Sequence, residues 1–138
     1  MSIAFTKAEK EFFKSTEYAR VATVTKNGEP HVTPVLAIYD DKTNSFYFAI
    51  DLDSQKYANL SFKPEVAMVI DLTDPERGVM IRGNAVVIEH GKDFEDAWKI
   101  MARISYYKRH PYHEGDLAIV KAVPEMKSVW GKINANDT

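Results

Sequence analysis

The feature that most narrows the possible folds is a pair of β-rich runs joined by four residues. Tyr18-Ala-Arg-Val-Ala-Thr-Val-Thr25 is rich in β-branched side chains and alternates in character. Lys26-Asn27-Gly28-Glu29 follows, and Asn-Gly accepts the positive φ angles of a type I′ hairpin turn. The return run is Pro30-His-Val-Thr-Pro-Val-Leu-Ala-Ile-Tyr39. Neither Pro30 nor Pro34 can donate to a ladder, so this strand is expected to be an edge, bulged, or interrupted on one side. Backbone left open beside Pro34 either serves a ligand or marks an ordinary barrel bulge.

The same grammar continues. A polar turn over Asp40–Ser45 leads to a third strand, Phe46–Ile50, and Val66–Leu72 is a fourth, apolar enough to be central. A loop over Thr73–Gly78 precedes a long fifth strand, Val79–Glu89, where Gly83 marks a sharp bend or a close backbone approach. Leu117–Val123 is a sixth strand and Pro124–Trp130 a last one, with Asn134–Thr138 expected to fray. Three helices punctuate these runs. Thr6-Lys-Ala-Glu9 is a capping box opening the first, with Ala8, Phe12 and Phe13 as its apolar stripe. Ser54 caps the second, Tyr57–Phe62, which Lys63-Pro64-Glu65 ends. Phe94, Ala97, Trp98, Met101 and Ile104 recur at helical spacing behind Asp93 as N-cap, and their stripe reads as core packing. Ser105–Gly115 is an aromatic, basic loop. Six or seven strands in short sequential hairpins favour a mainly β, closed antiparallel barrel with flanking helices over a doubly wound sheet.

Bulk properties narrow the function. The 138 residues fit one domain, 1–138, and the net charge of −2 gives no electrostatic case for nucleic acid as principal partner. The absence of cysteine excludes disulfides, thiolate metal sites and cysteine nucleophiles. No secretory signal is evident at Met1-Ser-Ile-Ala-Phe-Thr-Lys7, and no apolar run approaches the length of a bilayer span. A cytoplasmic protein with no membrane partner is the expectation.

One stretch carries chemistry. Phe46–Ile50 and Asp51-Leu-Asp53 run into Ser54-Gln55-Lys56, so a strand feeds a capped helix whose free N–H groups and dipole converge on one spot. Lys56 adds an ammonium there, which makes a phosphate pocket; the alternative is a plain cap beside a solvated lysine. His31 is the nearest acid–base candidate, with a solvent-facing strand histidine as the simpler reading. His110 and His113 flank Pro111 with no carboxylate cluster, so no metal site is expected. Tyr106–His113 either stacks on a second ligand or is a solvated loop.

The order of Tyr18–Thr25, Asn27-Gly28-Glu29-Pro30, Phe46–Ile50, Ser54-Gln-Lys56 with Asn59-Leu60, Lys63-Pro64-Glu65 and Val79–Gly83 resembles the FMN-binding split β-barrel family related to pyridoxamine 5′-phosphate oxidase. The likeness covers about residues 7–131. It implies a six- to seven-stranded antiparallel split barrel that forms a homodimer, with a flavin, usually FMN, in the interface groove. By the same resemblance Ser54, Gln55 and Lys56 hold the flavin phosphate. Val35, Leu36 and Ala37 lie along the isoalloxazine ring, and Phe48, Ala49 and Ile50 form the next strand of the groove. Arg82 falls near the interface and Trp130 near the ring, with core packing as the alternative for Trp130. Pyridoxamine phosphate oxidases carry an arginine where this chain has Thr33 and a lysine where it has Ile38. Thr33 is then left to hydrogen-bond the ring edge. Their C-terminal Arg and His pattern is also absent, so the likeness points to the general oxidoreductase branches acting on an unidentified small molecule. The alternatives are a deazaflavin-dependent reductase and a non-catalytic flavin-binding dimer.

Overall fold

The computed structural model describes residues 2–133, and the expected fraying of Asn134–Thr138 lies outside the described residues. The hairpin that opens the sheet joins β1 (Tyr18–Val24) to β2 (Pro30–Asp40), paired from Tyr18↔Leu36 to Val24↔Pro30. Its turn differs from the expected type I′. The Gly28 N–H donates to the Thr25 carbonyl at 2.9 Å, and only Gly28 (φ 87) is left-handed, Asn27 being ordinary. Thr25 and Glu29 close a three-residue loop, Thr25 N–H to Glu29 carbonyl at 2.9 Å, so a left-handed residue is needed only at its last position.

β3 (Ser45–Ile50), α2 (Gln55–Phe62), β4 (Glu65–Thr73) and β5 (Glu76–Ile88) follow α1 (Lys7–Phe13), β1 and β2. After them come α3 (Gly91–Met101), α4 (Ser105–Arg109) and β6 (Ala118–Gly131). The strands close in the order β1-β2-β3-β6-β5-β4, all antiparallel, with β4 returning to β1 over Arg20–Ala22. The chain is therefore a closed six-stranded antiparallel barrel with flanking helices.

Four local expectations are corrected. Pro124 does not divide two strands, because β6 runs through it with a register shift opposite Arg82 and Gly83. Ladder pairing steps from Arg82↔Met126 to Gly83↔Pro124, and the extra residue absorbs the proline's missing donor. The Thr73–Gly78 loop shrinks to Asp74 and Pro75, since pairing persists to Thr73↔Glu76. α3 starts at Gly91 with His90 as an N-cap lacking a side-chain bond, so Asp93 lies in the first turn. The Ser105–Gly115 loop contains the short helix α4.

Period-two burial explains the layers. Phe46, Phe48 and Ile50, with Val66, Met68 and Ile70 and with Val79 and Ile81, point into the barrel. Each such large side chain gains about 1.5–3 kcal/mol on full burial. The alternate residues Tyr47, Ala49, Leu117 and Ile119 face outward and are covered by Phe94, Ala97, Met101 and Ile104 at the end of and behind α3. β3 is thus buried on both faces, which accounts for its unbroken apolar run. Phe12 and Phe13 on α1 join the interior core, held by the Thr6–Glu9 capping box in which both side chains accept from the opposite backbone N–H. A Cβ on Gly83 would overlap the Val123 carbonyl oxygen, so the close approach expected there is real.

Candidate functional site

The site begins with the prolines of β2. The Ala37 N–H donates to the Glu17 carbonyl at 2.8 Å, and the ladder from there to Thr25 and Glu29 has no register shift. Alternation then turns the backbone of His31, Thr33 and Val35 toward β1 and that of Val32, Pro34 and Leu36 away from it. β3 joins β2 only from Ala37↔Phe48 onward. The edge beyond Leu36 is therefore open, and Pro30 and Pro34 place their missing donors where no strand needs them. It still offers the N–H groups of Val32 and Leu36.

α2 supplies the second wall. Ser54 Oγ accepts from the Tyr57 N–H at 3.1 Å and donates to the Asp51 carbonyl at 2.7 Å. The hydroxyl is consumed by capping, which leaves the Gln55 and Lys56 N–H groups of the first turn outside the helix's own ladder. Lys56 Nζ reaches back to Thr33 Oγ1 at 2.8 Å, across the mouth between helix and strand edge. Burial pushes the Lys56 ammonium below the ordinary lysine value, and the Asp51 carboxylate opposes that shift. A half-buried ammonium with one neutral partner is a ready receptor for an anion.

Between these walls is a groove of about 250 Å³. Val35, Leu36, Ala49, Ile50, Ser54 and Lys56 all line it, with Thr33 tied to Lys56. Gln55 is turned along the helix, its Nε2 donating to Asn59 Oδ1 at 2.7 Å. Ala37 is buried, and Phe48 is fully buried in the barrel interior. Arg82 and Trp130 stand on β5 and β6, outside this lining, and a Cβ on Gly78 would overlap the Trp130 indole.

Five further residues line the groove that the sequence did not assign to the flavin site: Pro34, Asp51, Tyr107, Tyr112 and Leu117. The tyrosines come from α4 and the turn after it, and pack edge-on against Trp98 at 5.5 and 6.4 Å. Burial first, then Tyr112, Tyr106 and Asp51, push the Tyr107 phenol up to about 12, so it stays a neutral donor. The aromatic density of Tyr106–Tyr112 was the available signal. His31 is partly exposed, but its Nδ1 is enclosed and has no hydrogen-bond partner among the described residues, opposite Thr23 on β1. Among the described residues no helix is long and apolar enough to cross a membrane, and no group of His, Asp and Glu could hold a metal ion.

A family model described as pyridoxamine 5′-phosphate oxidase matches residues 5–130. A 5a,11a-dehydrotetracycline/5a,11a-dehydrooxytetracycline reductase of Streptomyces rimosus is 34% identical over 94 residues, 63% of this chain. The match spans 66% of that relative, just under two thirds of its length. Among solved structures, HutZ, the heme storage protein of Vibrio cholerae, superposes with a TM-score of 0.74 at 17% identity, over 93% of this chain and 94% of that one. A pyridoxamine 5′-phosphate oxidase-related FMN-binding protein of Nostoc punctiforme gives 0.68 at 16% identity, over 88% and 80%. At such identities the likeness is one of fold.

Proposed function

We propose the following for a chain that belongs to the pyridoxamine 5′-phosphate oxidase family: it binds FMN in the β2–α2 groove and is an oxidoreductase acting on a small organic molecule. The observation that carries this is the convergence of Lys56 Nζ, the α2 first turn and the open β2 edge on one groove. Those groups suit the two ends of FMN. The Lys56 ammonium and the Gln55 and Lys56 N–H groups would hold the phosphate, while the Leu36 and Val32 backbone would meet the polar edge of the ring. When bound, the flavin supplies hydride chemistry, and the protein's part is positioning and electrostatics.

A volume of about 250 Å³ falls below the ~300–1,000 Å³ of complete ligand pockets. One chain thus covers only part of the flavin, and we take a second copy to cover the rest. Exposed apolar side chains beside the open edge, Tyr18 at 67% and Val32 at 64%, support that face as the dimer contact. Ala37 and Phe48 then act as the wall behind the groove, and Arg82 and Trp130 belong to the partner-facing side.

The reductase activity of the Streptomyces relative supports reduction as the direction of chemistry. A second reading, deazaflavin in place of FMN, is favoured by Thr33 and Ile38. Neither is charged, and Ile38 packs into the core under α3, so Lys56 is the cation of the anion site. Titration of the purified protein with FMN and with a deazaflavin, followed by removal of free ligand, separates these readings. Retention of neither overturns both.

A further inference from the structure

The groove is not the largest cavity. A second one, of about 590 Å³, opens between α1, the Ala37–Tyr39 segment of β2 and Arg103. Its floor is apolar, from Phe13, Ala37, Ile38 and the ring of Tyr39. Tyr39 offers no free hydroxyl to the cavity, because its Oη donates to Asn44 Oδ1 at 2.6 Å. The size lies within the ~300–1,000 Å³ of small-molecule pockets, and the apolar floor is of the usual kind.

The rim is charged, and its pairing is specific. Lys10 holds Asp41 at 2.8 Å, Lys14 holds Glu11 at 3.3 Å, and Arg103 holds Asp40 at 2.8 Å. The Glu17 carboxylate accepts from the Ser105 N–H at 3.0 Å and from its hydroxyl at 3.3 Å. That leaves Lys7 as the rim cation with no ion pair or hydrogen bond among the described residues. A ligand with a single negative charge finds one free ammonium there. A multiply charged anion such as phosphate finds no second free cation among the described rim residues, since Lys10, Lys14 and Arg103 are engaged by Asp41, Glu11 and Asp40.

We propose that this cavity binds an apolar monocarboxylate, its body against Phe13, Ala37 and Ile38 and its carboxylate on Lys7, at a site separate from the flavin groove. The two sites share no lining residue, although Leu36 of the groove and Ala37 of the cavity are neighbours on β2. The proposal stands whether or not a flavin occupies the groove.

The test is a ¹H–¹⁵N titration of the full chain with 2-naphthoate, with and without saturating FMN. Saturable shifts confined to residues 7–17, 37–41 and 103, unchanged by FMN, are expected. Lys7→Glu should weaken that binding at least about fivefold, and Lys7→Gln by a smaller factor, as for a partly exposed ion pair. Inorganic phosphate should produce no saturable shift at these amides. Shifts mapping instead to residues 34–36 and 49–56, or naphthoate affinity unchanged in Lys7→Glu and Lys7→Gln, would overturn the assignment.

Discussion

The Lys56 ammonium donates to the Thr33 hydroxyl across 2.8 Å, tying the first turn of α2 to the strand edge 23 residues earlier. That contact puts the free N–H groups of a helix start and the unpaired backbone of a proline-bearing strand on one groove. The neutral Thr33 hydroxyl holds the lysine in place without adding a second charge to the groove.

Lys56→Ala should cost about 1–2 kcal/mol of FMN binding, on the order of tenfold in affinity, while the melting temperature stays near that of the parent. Lys56→Arg should recover part of the loss. Flavin fluorescence titration reads the first and thermal unfolding the second; equal affinity in parent and Lys56→Ala would remove Lys56 from the phosphate site.

The pH dependence follows from the same residue. Burial lowers the Lys56 value below 10.5, so the ammonium discharges earlier on the alkaline side than an ordinary lysine. Above about pH 7.5 the FMN phosphate is already doubly ionised, its second pKa being about 6. Affinity should then fall as pH rises through the Lys56 value, and that fall should vanish in Lys56→Ala. The sign for stability is opposite: a lowered base binds fewer protons folded than unfolded, so its unfavourable contribution is relieved as pH rises.

Val32→Glu places a charge on a side chain that is 64% exposed, in the stretch of β2 that β3 does not pair. Sedimentation should report a shift from dimer toward monomer, with FMN affinity falling in parallel. A monomeric parent that still retains FMN would contradict the partner-covered groove.

Acid stability should depend on Asp40 and Glu9. Burial raises both carboxyls, but bonds from Thr43 and Arg103 to Asp40, and from Lys127 and Thr6 to Glu9, outweigh it and hold both below their ordinary values of 3.8 and 4.5. Such groups stabilise the fold fully above the ordinary value and lose that contribution as pH falls through the folded one. Asp40→Asn should cost about 1–3 kcal/mol near neutrality and show a flatter decline below pH ~5, measured by urea unfolding across pH.

Gly83→Ala should destabilise by about 1–3 kcal/mol, because its methyl would overlap the Val123 carbonyl oxygen at the β6 register shift. Gly115, left-handed but with open space around it, should tolerate alanine better. Chemical denaturation of the two variants ranks them, and the reverse order would refute the close approach.

Much of this was legible in residues whose chemistry is local. Thr6 and Glu9 form the capping box their spacing announces, and Ser54 caps α2. Pro30 and Pro34 mark an open edge, since a missing donor tells directly which side can lack a partner. The failures depend on tertiary context. Pro124 reads as a break, yet a bulge opposite Gly83 absorbs it. Asp93 reads as a cap, yet His90 occupies that position, because the first turn begins where the chain leaves β5. Tyr107 and Tyr112 reach the groove only because α4 folds back under Trp98, a contact no periodicity in Ser105–Gly115 encodes. The Lys56–Thr33 bond was likewise invisible: each residue stood out separately, but not as a pair.

The measurement that bears most directly on the central claim is an absorbance spectrum of the protein after exposure to FMN and removal of free ligand, with Lys56→Ala alongside. The account predicts a retained band near about 450 nm, where oxidised flavins absorb, strongly reduced in the variant. A protein left colourless by FMN and by deazaflavin alike, or one that takes up heme in their place, would contradict it.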